Sequence, residues 1–212
     1  MVGYSETLID LMRHGEPVGG RMFRGSQDDP LTDEGWQQMR TALARVDLNQ
    51  SPLPWQKVVT SPLTRCADFA KEVSDLSGLP LEVVSDFREI SFGKWEGLTP
   101  EQVMMQFPGQ LEAFWEDSVR NAAPNGESVE AFRDRIALVW QQLVDQRENT
   151  SVLLCCHGGT IRMILALILD MPLNALWRIA VPYANLTRIK ITHFTDGTHT
   201  QMMMSHQPEW QV

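Results

Sequence analysis

Two short motifs place a histidine directly after an apolar run and directly before a glycine. Arg13-His14-Gly15-Glu16 follows residues 7–12, and His157-Gly158-Gly159 follows residues 151–156. Glycine removes side-chain bulk where a ligand must approach the backbone, and the arginine beside the first histidine matches phosphate or carboxylate with paired donors. These features predict one anion site, with phosphate chemistry as the leading hypothesis.

Two further residues follow other apolar runs and could complete a phosphoryl-transfer site. Arg65 comes after the run 57–61 in the first turn of a predicted helix, where free backbone N–H groups and the helix dipole favour an anion. Glu89 comes after the run 81–85. Because open α/β sheets bind ligands at the carboxyl edge of their strands, we expect all of these groups to converge there.

The expected chemistry follows from charge and nucleophilicity. A phosphate monoester repels anionic nucleophiles, whereas a neutral imidazole can take its phosphoryl group as a covalent intermediate. Arg13 and Arg65 are expected to clamp the non-bridging oxygens, with His157 as a third, protonated donor. Glu89 is expected to protonate the leaving oxygen and then to deprotonate the attacking water, which requires an environment that favours its protonated form.

The alternation of short apolar runs with longer periodic runs predicts an α/β fold. The predicted architecture is a three-layer sandwich with a mostly parallel central sheet flanked by helices, and the active site lies at the carboxyl edge of the strands. Strands are predicted near residues 7–12, 57–61, 81–85 and 151–156, and helices near 33–46, 62–77, 100–106, 109–117, 128–146 and 160–169.

Local signals predict where two of these helices begin. Ser61-Pro62 places a capping hydroxyl before a proline at the first helical position. Thr99-Pro-Glu-Gln102 has the spacing of a capping box.

A β-hairpin is predicted near the C-terminus. The runs 186–194 and 198–205 flank Asp196-Gly197, a pair that favours a two-residue turn. Three histidines of this region are expected at the surface or at the sheet edge: His193, His199 and His206.

The gross composition limits the class of protein and its partners. At 212 residues and 24.1 kDa the chain has the size of one domain, 1–212, with a full core. The formal net charge of -9 argues against nucleic acid or an anionic membrane surface, so the expected partner is a small-molecule phosphomonoester. The sequence leaves the oligomeric state open, a homodimer being one alternative.

The cysteines and the N-terminus favour a cytoplasmic protein. Cys66, Cys155 and Cys156 make an odd count without a disulfide framework, and the adjacent pair reads as small core hydrophobes. The first residues lack the pattern of a signal peptide.

No metal or cofactor is expected. Arg13 and Arg65 would repel a metal ion held by His14 and His157, and no third ligand has diagnostic spacing. The chain also lacks the Gly-x-x-x-x-Gly-Lys loop of a P-loop nucleotide site.

At these residues the chain resembles the histidine phosphatase superfamily, also called phosphoglycerate mutase-like. The similar segments are Arg13-His-Gly-Glu16, Arg24-Gly25, Pro30-Leu-Thr-Asp-Glu-Gly35, Ser61-Pro-Leu-Thr-Arg65, Glu89, Phe92-Gly-Lys-Trp-Glu-Gly97, Pro124-Asn-Gly-Glu-Ser128 and His157-Gly-Gly159. The resemblance implies that His14 is the phosphohistidine nucleophile and that Glu89 is the proton donor and acceptor. It implies that the phosphate pocket is formed by Arg13, Arg65, His157 and Gly158. It also implies that Arg24 lies on a loop at the substrate side and binds substrate.

Within the superfamily the chain looks most like the small bacterial α-ribazole-5′-phosphate phosphatases of cobalamin assembly. The suggestive segments are residues 86–96, residues 124–128, and Leu169-Asp-Met-Pro172 followed by Trp177. The chain departs from the family pattern at Pro17 and Gly20, where the family often has Thr and Asn. The Asn amide usually helps to hold the phosphate.

The alternatives are a phosphoglycerate mutase, a broad-specificity phosphatase and, in another class, a phospho-ligand binding module without turnover. Residues 98–126, the cap segment, are expected to form a helical insertion. They contain four acidic residues, with Arg120 as the one cation, and the aromatic residues Phe107, Phe114 and Trp115. Such a segment suits a ring-bearing neutral leaving group better than the second anionic group that a mutase binds.

Overall fold

The central sheet of the molecule has its strands in the order β3-β2-β4-β1-β5-β6. The computed structural model describes residues 4–145, 149–194 and 197–203. The strands within these ranges are β1 (Tyr4–Arg13), β2 (Lys57–Thr60), β3 (Leu81–Val83), β4 (Ser151–Cys156), β5 (Leu186–Phe194) and β6 (Gly197–Met203).

Four neighbouring strands pair in parallel, and β5 pairs antiparallel with the neighbour on each side. β4 pairs in parallel with both β1 and β2, and β2 pairs in parallel with β3. β5 is antiparallel to β1 and to β6. The predicted mostly parallel α/β sheet is therefore confirmed. The four parallel strands end at the same edge, so the residues that follow them are brought together.

Helices follow each of the four parallel strands. They are α1 (Asp33–Ala42), α2 (Thr64–Ser77), α3 (Pro100–Gln106), α4 (Gln110–Glu116), α5 (Val129–Val144) and α6 (Gly158–Ile168). Short 3₁₀ turns cover Ser85–Phe87, Gly93–Trp95 and Leu173–Arg178. None of the described helices is long and apolar enough to cross a membrane.

The core lies on both faces of the sheet. Successive side chains of a strand point to opposite faces. In β4, Leu153 and Cys155 therefore pack in one buried cluster, and Leu154 and Cys156 pack in the other. The adjacent cysteines are core residues, as the sequence predicts, and burial raises the pKa of the Cys155 thiol to about 12.

One predicted helix start is confirmed and the other is wrong. Thr99 accepts from the N–H of Gln102, and the Gln102 side chain accepts from the N–H of Thr99, which completes the capping box. The residue that precedes α2 is Leu63 rather than Ser61. The chain leaves β2 through two extra residues before it turns helical, and this frees the Ser61 hydroxyl for another contact.

The C-terminal hairpin pairs β5 with β6 from Phe194 and Gly197 onward. Asp196 and Ser205 of the predicted hairpin lie outside the described residues, as does His206. The prediction of a surface position is wrong for His193, which is only 6% exposed. Its Nε2 atom lies 3.0 Å from the hydroxyl oxygen of Thr7, because the antiparallel pairing of β5 with β1 brings these strands side by side.

Candidate active site

The two glycine-flanked histidines meet at the carboxyl edge of the parallel strands. β1 and β4 are neighbours with Arg13 opposite Cys156, so His14 and His157 leave the sheet side by side. Their ring centroids are 5.3 Å apart and the ring planes meet at 60°. The backbone N–H of His14 also donates to the carbonyl of Cys156 at 3.0 Å. The two rings thus face one shared space.

The protonation of His14 can be assigned from its neighbours. Its Nδ1 atom lies 2.7 Å from the carbonyl oxygen of Gly15. A carbonyl can only accept, so Nδ1 carries the proton and Nε2 keeps its lone pair. Burial, followed by the nearby charges of Arg13 and Arg65, lowers the pKa of His14 well below its usual value. These neighbours favour a neutral imidazole with its lone pair on Nε2.

His157 is held by the hydroxyl that was expected to cap α2. Its Nε2 atom lies 2.6 Å from Oγ of Ser61, and that oxygen also accepts from the N–H of Leu63 at 3.3 Å. Among the described residues the Ser61 hydroxyl proton has no other acceptor, so it is donated to Nε2. The ring proton then resides on Nδ1.

The expected protonation of His157 concerns the phosphate-bound site and stays a prediction, and burial opposes it in the free protein. Burial lowers its pKa well below the usual value, and Arg65, His14 and Arg13 lower it further. A neutral imidazole still donates through Nδ1. The negative charge of a bound phosphate would favour a second ring proton.

Arg13 lies against an aromatic ring and keeps one donor unused. Its guanidinium lies 4.2 Å from the ring centroid of Tyr183, and Nη1 donates to the carbonyl of Val181 at 2.5 Å. The Nε atom is buried and has no partner within the described residues. A buried donor without a partner costs free energy. A bound anion would supply the missing acceptor.

Arg65 repeats this arrangement from the first turn of α2. Nη1 donates to the carbonyl of Gln27 at 2.6 Å and Nη2 to that of Gly25 at 2.9 Å. Its Nε atom is also buried without a described partner. The side chain is 1% exposed, so water would screen its attraction for a bound anion only weakly.

Glu89 reaches the site from the loop after β3. One carboxylate oxygen accepts from the N–H of Gly159 at 2.9 Å and the other from the N–H of Ile90 at 3.0 Å. A Cβ atom at position 159 would lie 2.2 Å from this carboxylate. Glycine is therefore required at position 159 for the carboxylate to approach the start of α6.

The structure brings together His14, His157, Arg13, Arg65, Glu89 and Gly158. The described hydrogen bonds of Arg24 go to the neighbouring loop rather than to these residues. Its Nε atom donates to Asp29 at 3.1 Å, and Nη2 donates to the carbonyls of Val18 and Gly20 at 2.8 and 2.6 Å. These contacts stabilise the loop beside the site, and substrate binding by Arg24 stays a prediction.

The arrangement combines an imidazole that has its lone pair on Nε2 with cations and a carboxylate, which suits phosphoryl transfer. Among the described residues no three His, Cys, Asp or Glu side chains are placed to hold a metal ion. A family model for the histidine phosphatase superfamily (branch 1) matches residues 9–201. The chain belongs to this superfamily.

Relatives of this phosphatase differ in their named substrates. It is 31% identical to the glucosyl-3-phosphoglycerate phosphatase of Mycolicibacterium vanbaalenii over 87% of this chain and 84% of the relative. It is 26% identical to the adenosylcobalamin/α-ribazole phosphatase of Salmonella typhimurium over 94% and 96% of the two chains. The solved structure of YhfR from Bacillus stearothermophilus superposes with a TM-score of 0.81 at 28% identity, covering 94% of this chain and 98% of that one.

The phosphatase has a further, half-buried cation at the site that the motifs did not single out. Arg162 on α6 donates through Nε to the carbonyl of Ile179 at 2.7 Å, and its guanidinium lies 5.7 Å from the ring of Trp177. Its Nη1 atom would lie 3.1 Å from a Cβ atom on Gly158. The spacing from Gly158 to Arg162, one helical turn on the same face, is the signal that could have revealed it.

An aromatic cluster lies beside Arg162. Trp177 contacts Trp115 with centroids 6.0 Å apart, and Trp115 contacts Phe23 at 6.5 Å. Within the cap segment, Trp115 is 52% exposed, whereas Phe114 is 2% exposed and belongs to the core. Of these two cap-segment residues, only Trp115 presents substantial aromatic surface to solvent.

Proposed function

We propose that this phosphatase hydrolyses phosphomonoesters through a covalent phosphohistidine on Nε2 of His14. The observation that carries the proposal is the hydrogen bond between Nδ1 of His14 and the carbonyl of Gly15. It directs the lone pair to Nε2, in a space bordered by His157, Arg13 and Arg65. A positioned and uncharged nucleophile among cations is what attack on a dianionic ester requires.

In the first step Nε2 of His14 attacks phosphorus and the bond from phosphorus to the ester oxygen breaks. The leaving oxygen takes the electron pair of that bond, and the proton of the Glu89 carboxyl group moves to it. The alcohol departs. Gly15 stabilises the positive charge that develops on the imidazole, because its carbonyl accepts from Nδ1.

In the second step Glu89, now a carboxylate, takes a proton from a water molecule as its oxygen attacks phosphorus. The bond from phosphorus to Nε2 breaks and its electron pair returns to His14. Inorganic phosphate leaves, and Glu89 is protonated again for the next cycle. One group thus acts as acid and then as base at the same oxygen position.

The cations are proposed to supply most of the rate enhancement. The unused Nε donors of Arg13 and Arg65 would bind the non-bridging oxygens, with Nδ1 of His157 as a third donor. Enzymes of monoester hydrolysis supply upwards of ~20 kcal/mol. An acid–base residue contributes about two to four powers of ten, so fixed positive charge must supply much of the remainder.

We propose α-ribazole-5′-phosphate as the natural substrate, with a role in cobalamin synthesis. Support comes from the named activity of the Salmonella typhimurium relative and from the rings of Phe23, Trp115 and Trp177, which suit stacking against a ring-bearing leaving group. The low cation content of the cap segment favours hydrolysis over the mutase reaction.

A second candidate substrate is a phosphomonoester whose alcohol carries a carboxylate, as in glucosyl-3-phosphoglycerate. The observation that favours it is Arg162, whose guanidinium lies next to Gly158 at the site. The relative from Mycolicibacterium vanbaalenii is named for this substrate.

Two experiments test these proposals. Acid-labile phosphate should appear on His14 when the protein turns over a labelled monoester, and turnover without such a label rejects the covalent mechanism. In a panel of α-ribazole phosphate, glucosyl-3-phosphoglycerate, phosphoserine and 3-phosphoglycerate, α-ribazole phosphate should have the highest kcat/KM. A higher value for the carboxylate-bearing esters would favour the second candidate, and phosphoryl transfer between phosphoglycerates would indicate a mutase.

The remaining features of the chain are proposed on sequence grounds. We infer a single domain, residues 1–212, with the cap segment as a helical insertion that contains α3 and α4. The unpaired thiols of Cys66, Cys155 and Cys156 support a cytoplasmic location.

A further inference from the structure

The segment that presents Glu89 is bound through its carbonyl oxygens. Residues 86–89 lie at the end of the short turn after β3 and just beyond it, outside any strand or α-helix, so their carbonyls need partners from elsewhere. The hydroxyl of Thr160 on α6 donates at 3.3 Å to the carbonyls of Phe87 and Arg88. Arg135 on α5 also donates to carbonyl oxygens of this segment.

Arg135 connects this segment to α5. Its Nη1 atom donates to the carbonyl of Asp86 at 2.6 Å and to that of Arg88 at 3.1 Å, and Nη2 lies 3.5 Å from that of Glu89. On its other side, Nε and Nη2 donate to the two carboxylate oxygens of Glu127 at 2.9 and 2.6 Å. The guanidinium therefore joins two segments of the chain.

Burial strengthens this connection. The side chain of Arg135 is 9% exposed and that of Glu127 is 16% exposed, so solvent screens the pair weakly. Glu127 is itself fixed, because its backbone N–H donates to the carbonyl of Ser91 at 2.9 Å. A surface ion pair would not constrain the loop in this way.

We propose that Arg135 is a positioning residue that holds the carboxyl group of Glu89 at the leaving oxygen. This inference rests on the proposed function, in which Glu89 delivers a proton as the bond from phosphorus to that oxygen breaks. Proton transfer requires hydrogen-bonding distance, and a small displacement of the segment would remove it. The described hydrogen bonds of Arg13 and Arg65 go to carbonyls outside this segment.

The proposal predicts a dependence on the leaving group. The leaving oxygen of p-nitrophenyl phosphate departs as a stabilised phenolate and needs little protonation. The leaving oxygen of glycerol 2-phosphate would be a strongly basic alkoxide, which needs the proton of Glu89. A misplaced Glu89 should therefore slow the alkyl ester far more than the aryl ester.

The test compares Arg135→Lys with Arg133→Lys on the same helix. Lysine keeps the charge but loses the planar fork that contacts several oxygens at once. Arg133 is the matched control, because its guanidinium is 40% exposed and pairs with Asp134 at the surface. We expect R135K to lower kcat/KM for glycerol 2-phosphate about tenfold to a hundredfold more than for p-nitrophenyl phosphate. R133K should leave the ratio of the two values at that of the unmodified protein.

The ratio is measured with both substrates on one sample, so any inactive fraction of protein cancels. Glu127→Gln, which removes the anchor of Arg135, provides a second variant if R135K does not fold. An equal loss with both substrates, or the same ratio in R133K, would assign Arg135 a purely structural role and overturn the proposal. Failure of both R135K and E127Q to fold would overturn it in the same way.

Glu89→Gln separates this inference from the proposed function. If Glu89 is the acid, E89Q should itself lower the kcat/KM ratio of alkyl to aryl ester. An unchanged ratio in E89Q would remove the proposed role of Glu89, whatever R135K does. A changed ratio in E89Q with an unchanged ratio in R135K would overturn only the positioning role.

Discussion

The hydroxyl oxygen of Ser61 lies 2.6 Å from Nε2 of His157. The two residues are 96 positions apart in the chain, and both are fully buried. This contact sets the tautomer of His157, and with it the atom that can donate to a phosphoryl oxygen.

Removing that hydroxyl should reduce turnover without unfolding the protein. Ser61→Ala leaves Nε2 of His157 without its donor, so the Nδ1–H tautomer loses its advantage. We expect kcat/KM to fall about tenfold, since a hydrogen bond of about 1.4 kcal/mol corresponds to that factor. Imidazole ¹⁵N shifts of His157 should report a mixture of tautomers. Ser118→Ala is the matched control, because the Ser118 hydroxyl is buried without a described partner; equal activities of S61A and S118A would contradict the assignment.

Replacing Arg65 with lysine should weaken phosphate binding. Lysine cannot reach the carbonyls of Gln27 and Gly25 while directing a further donor into the site. We expect kcat/KM to fall about a hundredfold to a thousandfold, and affinity for inorganic vanadate to fall with it. Arg40→Lys, at a surface pair with Glu72, should change neither value. Full vanadate affinity in R65K would show that Arg65 does not contact the phosphoryl group.

A methyl group at position 159 should act through Glu89. In Gly159→Ala the new Cβ would lie 2.2 Å from the Glu89 carboxylate, so the carboxylate must move. We expect kcat to fall about a hundredfold, in line with loss of a general acid. The effects of G159A and E89Q should be non-additive in the double variant, since both remove the same proton transfer. Additive losses would mean that G159A damages something else.

Stability should fall as the pH drops below neutrality. The pKa values of His14 and His157 are lowered in the folded protein, by burial first and by neighbouring arginines next. Below about pH 6.5, the ordinary histidine value, the unfolded chain binds more protons than the folded one. Each histidine then removes at most about 1.4 kcal/mol of unfolding free energy per pH unit, down to its folded pKa.

This pH dependence can be measured by urea unfolding between pH 7 and pH 5. The double variant His14→Asn with His157→Asn should lose stability less steeply over this range than the unmodified protein. Parallel curves would mean that these two histidines are not held neutral in the fold.

Much of the fold could be predicted from local sequence. The apolar runs become β1, β2, β3 and β4, and the capping box at Thr99 starts α3, because both signals depend on neighbouring residues only. The wrong predictions at Ser61 and His193 share one cause. Each side chain forms a hydrogen bond with a residue far away in the sequence, and no local pattern predicts such a partner.

The candidate site likewise has some features that local sequence predicts and others that depend on the tertiary structure. The residue types that could do phosphate chemistry, and the strand ends that carry them, follow from the sequence, because a glycine or an arginine after a buried strand is a local feature. Only the tertiary structure decides which tautomers His14 and His157 adopt, and which donors of Arg13 and Arg65 stay unused. Arg135 and Arg162 likewise act through carbonyls and rings that the chain brings near from far along its length. Hydrogen bonds and burial depend on distance in space, and only folding sets that distance.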